Sequence, residues 1–127
     1  MRLLLDTHIF LWLITGDQRL PEVMQRDILN LENAVYLSVI SLWEISVKYQ
    51  LGKLPLPEPP ENYLSVQRER HMIASLPLDE ASVSQLAKLP STHRDPFDRM
   101  LICQALEHHL TIVTVDEMIR AYPVPVY

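Results

Sequence analysis

An α/β fold in three layers, with a mostly parallel central sheet and helices on both faces, is what this sequence predicts. Three observations carry the expectation. Short apolar or β-branched runs at Arg2 to Leu5, Ala34 to Ser38 and Thr111 to Val115 alternate with longer runs of helical periodicity, the pattern of strands linked by helices. The first and last of these strands each run into an aspartate, Asp6 and Asp116. With 127 residues, 48% of them hydrophobic and 21% charged, the chain has the size and composition of one domain, residues 1–127, with a core that needs no staples.

Taken in order, Arg2 to Leu5 is a short buried strand, and His8 to about Thr15 is a helix that Gly16 stops. Pro21 sits where helices like to begin, ahead of an amphipathic run from Glu22 to Glu32. Ala34 to Ser38 is the second strand, and Val39 to Leu51 a third helix closed by Gly52. The segment from Leu54 to Glu61 concentrates four prolines into a stiff surface connector, too short to separate two domains. Glu61 to His71 is a fourth helix, and Ile73 to Leu78 is a strand or a sheet edge. Asp79 to Leu89 is a helix opened by its N-cap aspartate, and Pro96 to His109 a longer one. Thr111 to Val115 is a β-branched strand, and Val124 to Val126 adds a last short edge.

Several function classes are disfavoured at once. A formal net charge of −5 argues against coating nucleic acid through general electrostatics, which rests on dense Lys and Arg. It leaves room for a nuclease whose acids are masked by divalent cations. The lone Cys103 allows no intramolecular disulfide and no zinc cluster, so a reducing, cytoplasmic setting is the simpler expectation. The first apolar run is broken by Asp6, Thr7 and His8, unlike a signal peptide, and no stretch is long enough to cross a bilayer.

The acids carry the functional argument. In open α/β sheets ligands gather outside the carboxyl ends of the strands, so Asp6 and Asp116 share a crevice if their strands are close. Asp6, Asp95 and Asp116 also precede helices, where aspartate is a favoured cap, and capping competes evenly with a site role for each. Asp98 points differently: Leu101, Ile102 and Ala105 follow it at i+3, i+4 and i+7, so its carboxylate opens an apolar stripe and faces the protein. Glu44 sits in the same way among Ile40, Trp43, Val47 and Leu51, although an i,i+4 ion pair with Lys48 offers an ordinary alternative. Four carboxylates gathered together repel one another, and a divalent cation resolves the conflict. Oxygen ligands without a Cys or His pattern suit Mg²⁺ or Mn²⁺ better than zinc.

Leu-Leu-Leu-Asp6-Thr-His, Ser41-Leu-Trp-Glu44-Ile, Arg94-Asp-Pro-Phe-Asp98-Arg-Met-Leu-Ile-Cys-Gln-Ala105 and Thr114-Val-Asp116, in this order and spacing, resemble a PIN domain of the bacterial VapC-like kind over nearly the whole chain. The resemblance implies a PIN-like three-layer sandwich and an acidic site at Asp6, Glu44, Asp98 and Asp116, with Asp95 as an additional acid. It also implies Mg²⁺ or Mn²⁺ dependence and endoribonuclease activity on an RNA substrate. Thr7 and Thr114 match hydroxyl positions that support such a site, with local turn hydrogen bonding as the competing role. Arg94 and Arg99 flank the third acid and are the candidates for holding phosphate; Arg68 and Arg70 read as solvated helix charge. His108 and His109 need only a helix-end dipole contact, and His8 is near the site without being a ligand. The partners implied are a small cognate antitoxin and a second copy in a homodimer, with no membrane.

Other readings fit less well. A dehalogenase-like phosphatase wants a second Asp two residues after the first, where this chain has His8. A response-regulator receiver wants a lysine in the late strand, and Thr111 to Val115 contains none. A non-catalytic PIN-like RNA- or protein-binding module is the alternative from another class, and the presence of all four acids counts against it.

Overall fold

A computed structural model describes residues 1–91 and 95–127. Four parallel strands lie in the order β3-β2-β1-β4. The central β1 (Arg2–Leu5) pairs with β2 (Ala34–Ser38) on one side and β4 (Thr111–Val113) on the other, and β3 (Ala74–Leu76) extends the sheet beyond β2. Leu3, Leu4 and Leu5 are fully buried, as expected of a parallel strand covered on both faces.

Alternation along the strands divides the core in two. Leu3, Leu5, Val35, Leu37 and Val113 face one layer, which comprises α1 (Thr7–Thr15), α2 (Glu22–Leu29) and α4 (Pro60–Arg70) and is filled by Ile9, Phe10, Ile28 and Leu64. Leu4 and Ile112 face the other layer, where α6 (Pro96–His108) and α7 (Glu117–Arg120) supply Leu101, Ile102, Ala105 and Ile119. Between them α3 (Val39–Gln50) turns Ile45 to the first core and Ile40 to the second. This is the three-layer α/β arrangement expected from the sequence.

Element ends depart from the expected ones for local reasons. The run expected as one helix from Asp79 to Leu89 is a short α5 (Glu80–Ser84) followed by a 3₁₀ turn at Gln85–Lys88, with Asp79 outside as the cap that accepts from Ser82 N–H at 2.9 Å. Helix α2 stops at Leu29, three residues early, because Asn30 turns extended and its side chain accepts from Glu32 N–H. Strand β4 ends at Val113, where the Thr114 hydroxyl accepts from Asp116 N–H at 3.0 Å and bends the chain. The last edge strand reduces to one bridge between Ile112 and Val126, since the flanking Pro123 and Pro125 offer no N–H to lengthen a ladder. Gly16 closes α1 in the left-handed region at φ 66°, donating its N–H to Leu13 O. Among the described residues no helix is long and apolar enough to cross a membrane.

The packing makes unequal demands on similar side chains. Leu4→Ala, at a fully buried position in the central strand, is expected to cost about 2–5 kcal/mol of unfolding free energy in a urea titration. Leu31→Ala, at a position 78% exposed, should stay within about 0.5 kcal/mol. Similar losses from the two would contradict this placement of the core.

Candidate acidic site at the β1–β4 crevice

From β1 the chain steps to β2 and then β3 on one side, and returns to place β4 on the other side of β1. The carboxyl ends of β1 and β4 therefore flank the point where the strand order reverses, the usual position of a site in an open parallel sheet. Asp6 follows β1 directly, and its N–H donates to Val113 O at 3.0 Å. Its side chain makes no cap bond to α1. Instead one carboxylate oxygen accepts from the Thr114 hydroxyl at 2.7 Å. Asp6 is 4% exposed, and burial pushes its carboxyl above the ordinary value; the Thr114 bond, His8 and Thr7 N–H oppose the rise, and the nearby Asp116 adds to it. Asp116, half-buried, caps α7 by accepting from Met118 N–H at 2.8 Å.

Helix α3 brings in Glu44. Its start is set by Ser38, whose hydroxyl accepts from Ile40 N–H and donates to Gln104 on α6. The buried face is Ile40, Ser41, Glu44 and Ile45. Glu44 is thus inward, but Trp43 and Leu51, expected on its stripe, are exposed; the helix is centred on Ser41 and Ile45, and Trp43 meets Phe97 edge to face at 5.0 Å. Thr7 Oγ1 lies 2.9 Å from Glu44 Oε1 and 2.8 Å from Ser41 Oγ. Having one hydrogen, the Thr7 hydroxyl donates to the carboxylate and receives the Ser41 hydroxyl. Lys48 Nζ donates to Glu44 Oε2 at 2.6 Å, so Glu44 is both inward and ion-paired. Burial works to lower the Lys48 pKa, and the bond and charge of Glu44, with the charges of Asp95 and Asp98, override it and raise the value.

Asp98 is buried on the first turn of α6 with the fully buried Leu101, Ile102 and Ala105 behind it. Asp95 is the cap of that helix, accepting from Phe97 N–H at 2.9 Å and Asp98 N–H at 3.3 Å. Arg99 donates to Pro90 O at 2.7 Å and the Tyr122 hydroxyl at 3.1 Å; Arg94 lies outside the described residues. Arg68, expected as solvated charge, is tied to Ile73 O at 2.9 Å. His108 pairs with Asp79 at 2.9 Å, while His109 adopts the left-handed cap at φ 56°. His8 is exposed and tilts against Trp12.

Oxygen donors alone, one of them a buried carboxylate raised by desolvation, match the chemistry of a hard divalent ion. Among the described residues, no three His, Cys, Asp or Glu side chains stand in a ligand arrangement as they lie. Two features of the site escape sequence reading: the Ser41–Thr7 contact, which joins residues on different helices, and the coexistence of the inward Glu44 with its Lys48 pair, which spacing presents as alternatives.

The PIN-domain family profile matches residues 3–125. Among curated proteins, the chain is similar to Ribonuclease VapC16 of Mycobacterium tuberculosis, 36% identical over 69 residues, which are 53% of this chain and 49% of that protein. The match thus spans about half the length of that relative. Among solved structures, it is similar to VapBC2 from Rickettsia felis bound to a DNA fragment from its promoter, with a TM-score of 0.74 at 18% identity over 99% of this chain and 96% of that one. It is also similar to FitAcB from Neisseria gonorrhoeae, with a TM-score of 0.62 at 25% identity over 98% of this chain and 96% of that one. At 18% identity the first likeness speaks to the fold alone.

The burial of Asp6 has a thermodynamic consequence. Because its folded-state pKa lies above the unfolded value, ionising it costs the folded state stability at neutral pH, and the cost vanishes as pH falls below the ordinary carboxylate range. In chelator, Asp6→Asn should raise Tm at neutral pH, and the gain should shrink on acidification. A variant with lower Tm at neutral pH, or a gain that ignores pH, would contradict this.

Proposed function

The chain belongs to the PIN-domain family, and from that premise we propose that it is a divalent-metal-dependent endoribonuclease, acting as one domain in the cytoplasm as the toxin of a type II toxin–antitoxin pair. The observation that carries the reading is the buried Asp6 carboxylate, without a cap role, beside Asp116 at the β1–β4 crevice. Ribonuclease VapC16 supports the activity by its name. The antitoxin partner rests on the resemblance of the acidic motifs to the VapC-like kind.

We assign Asp6, Asp98 and Asp116 to a Mg²⁺ or Mn²⁺ ion, with Glu44 completing the acidic centre. Both Glu44 oxygens already have partners, so an ion that uses it shares the carboxylate with Thr7 and Lys48. When bound, such an ion neutralises phosphate charge and supplies water acidic enough to attack phosphorus. Thr114 holds one Asp6 oxygen and so orients the other. Asp95 serves as the cap that sets the first turn of α6 and thereby presents Asp98. Arg94 and Arg99, which flank Asp98 in the sequence, are assigned to RNA phosphate.

An antitoxin helix finds a groove of about 320 Å³ between α1 and the proline-rich connector, lined by Leu11, Trp12, Leu54 and Leu56 among others. The exposed Trp43 and Leu51 offer apolar surface for a homodimer.

Cleavage of RNA is expected to need Mg²⁺ or Mn²⁺, to stop in EDTA, and to leave 5′-phosphate and 3′-hydroxyl ends; full activity in excess chelator, or 2′,3′-cyclic phosphate ends, would sink the mechanism. Disturbing a mere support of a metal ligand costs about 10- to 100-fold, so Asp98→Asn should lose at least about a hundredfold. Asp95→Asn, which keeps a capping side chain, should lose less. The reverse ranking would overturn the assignment.

A further inference from the structure

Both oxygens of Glu44 are engaged. One accepts from Thr7 at 2.9 Å and the other from Lys48 at 2.6 Å, and the residue is 2% exposed. An ordinary i,i+4 pair on a helix joins two solvated side chains. Here the acid is shut in the crevice and held from behind by the Thr7–Ser41 pair, while 39% of the Lys48 side chain remains open to solvent. Through Thr7, the residue after Asp6, one Glu44 oxygen is joined to the β1–β4 crevice, and the ammonium sits on the other oxygen of the same carboxylate.

A second divalent ion at this end would have to share the Glu44 carboxylate with the ammonium already on it, and two cations at such close quarters repel. A compact ammonium held in place is itself suited to receive phosphate. We propose that Lys48 is the second cation of the centre: fixed by Glu44, it receives a non-bridging phosphate oxygen of the RNA, so that the protein takes one divalent ion and not two. The assignment rests on the nuclease reading above.

Two measurements on the full chain test it. Mn²⁺ binding, counted by electron paramagnetic resonance without RNA, should give one ion per wild-type chain; in Lys48→Met, its folding checked by thermal unfolding, that site should keep its affinity to within about threefold while the bared Glu44 gains a second, weaker ion. Cleavage of a random-sequence single-stranded RNA pool by Lys48→Met should fall about a hundredfold, the scale of losing one fixed group that stabilises developing charge. Two Mn²⁺ ions in the wild type, or wild-type cleavage by Lys48→Met, would overturn the proposal. So would Mn²⁺ affinity falling in step with cleavage, which would make Lys48 a support of the metal site. A wild type that binds Mn²⁺ and cleaves no RNA defeats the nuclease reading; a wild type that cleaves no faster than Lys48→Met defeats the lysine assignment alone.

Discussion

At the end of the β1–β4 ladder, Asp6 N–H donates to Val113 O, and one residue further the Thr114 hydroxyl reaches back to the Asp6 carboxylate. These two bonds lock the ends of the strands that begin and close the sheet, and they hold a carboxylate where water is scarce. Much else is arranged around that constraint. Leu3, Leu4 and Leu5 anchor β1 between two cores. Thr7, the next residue after Asp6, reaches α3, and the bend at Thr114 brings Asp116 round to the same crevice.

The two deepest acids are treated in opposite ways. Asp6 keeps a large part of the penalty of burial, relieved mainly by one hydroxyl and resisted by Asp116. Glu44 is engaged on both oxygens, by a hydroxyl and an ammonium. A carboxylate raised by desolvation is a standing demand for a cation, whereas one neutralised by lysine is not. The centre is therefore asymmetric before any ion arrives, with its unmet negative charge at the β1–β4 end and its built-in positive charge at α3. Stability lost at Asp6 is the kind of local conflict that functional sites retain.

The parts legible in the sequence were those set by strong patterns. Buried parallel strands must be nearly continuous apolar runs, so β1 and β2 had the expected bounds. Asp98 could be placed inward because Leu101, Ile102 and Ala105 repeat at helical spacing behind it. Features set by three-dimensional packing were hidden. Trp43 and Leu51 share hydropathy with core residues, yet both are exposed, and the buried face of α3 takes in Ser41 instead. Capping and catalysis draw on the same residue type, and only geometry separates Asp6, whose side chain makes no cap bond at the start of α1, from Asp95, whose side chain does cap α6. Lys48 looked like half of a routine helix pair because the inward stripe and the i,i+4 pair read as alternatives for Glu44, which is both buried and paired.

The central claim is that Asp6 is buried at a cost that a divalent ion relieves, and linkage measures this directly. An ion that binds the folded state alone raises stability by RT ln(1 + [ion]/Kd), so Tm climbs steadily with its concentration once Kd is passed. Thermal unfolding of the wild type and of Asp6→Asn across a Mn²⁺ titration should show Tm rising in the wild type and staying nearly flat in the variant, whose starting Tm in chelator is the higher. Parallel curves for the two proteins, or a wild type indifferent to Mn²⁺, would contradict the account.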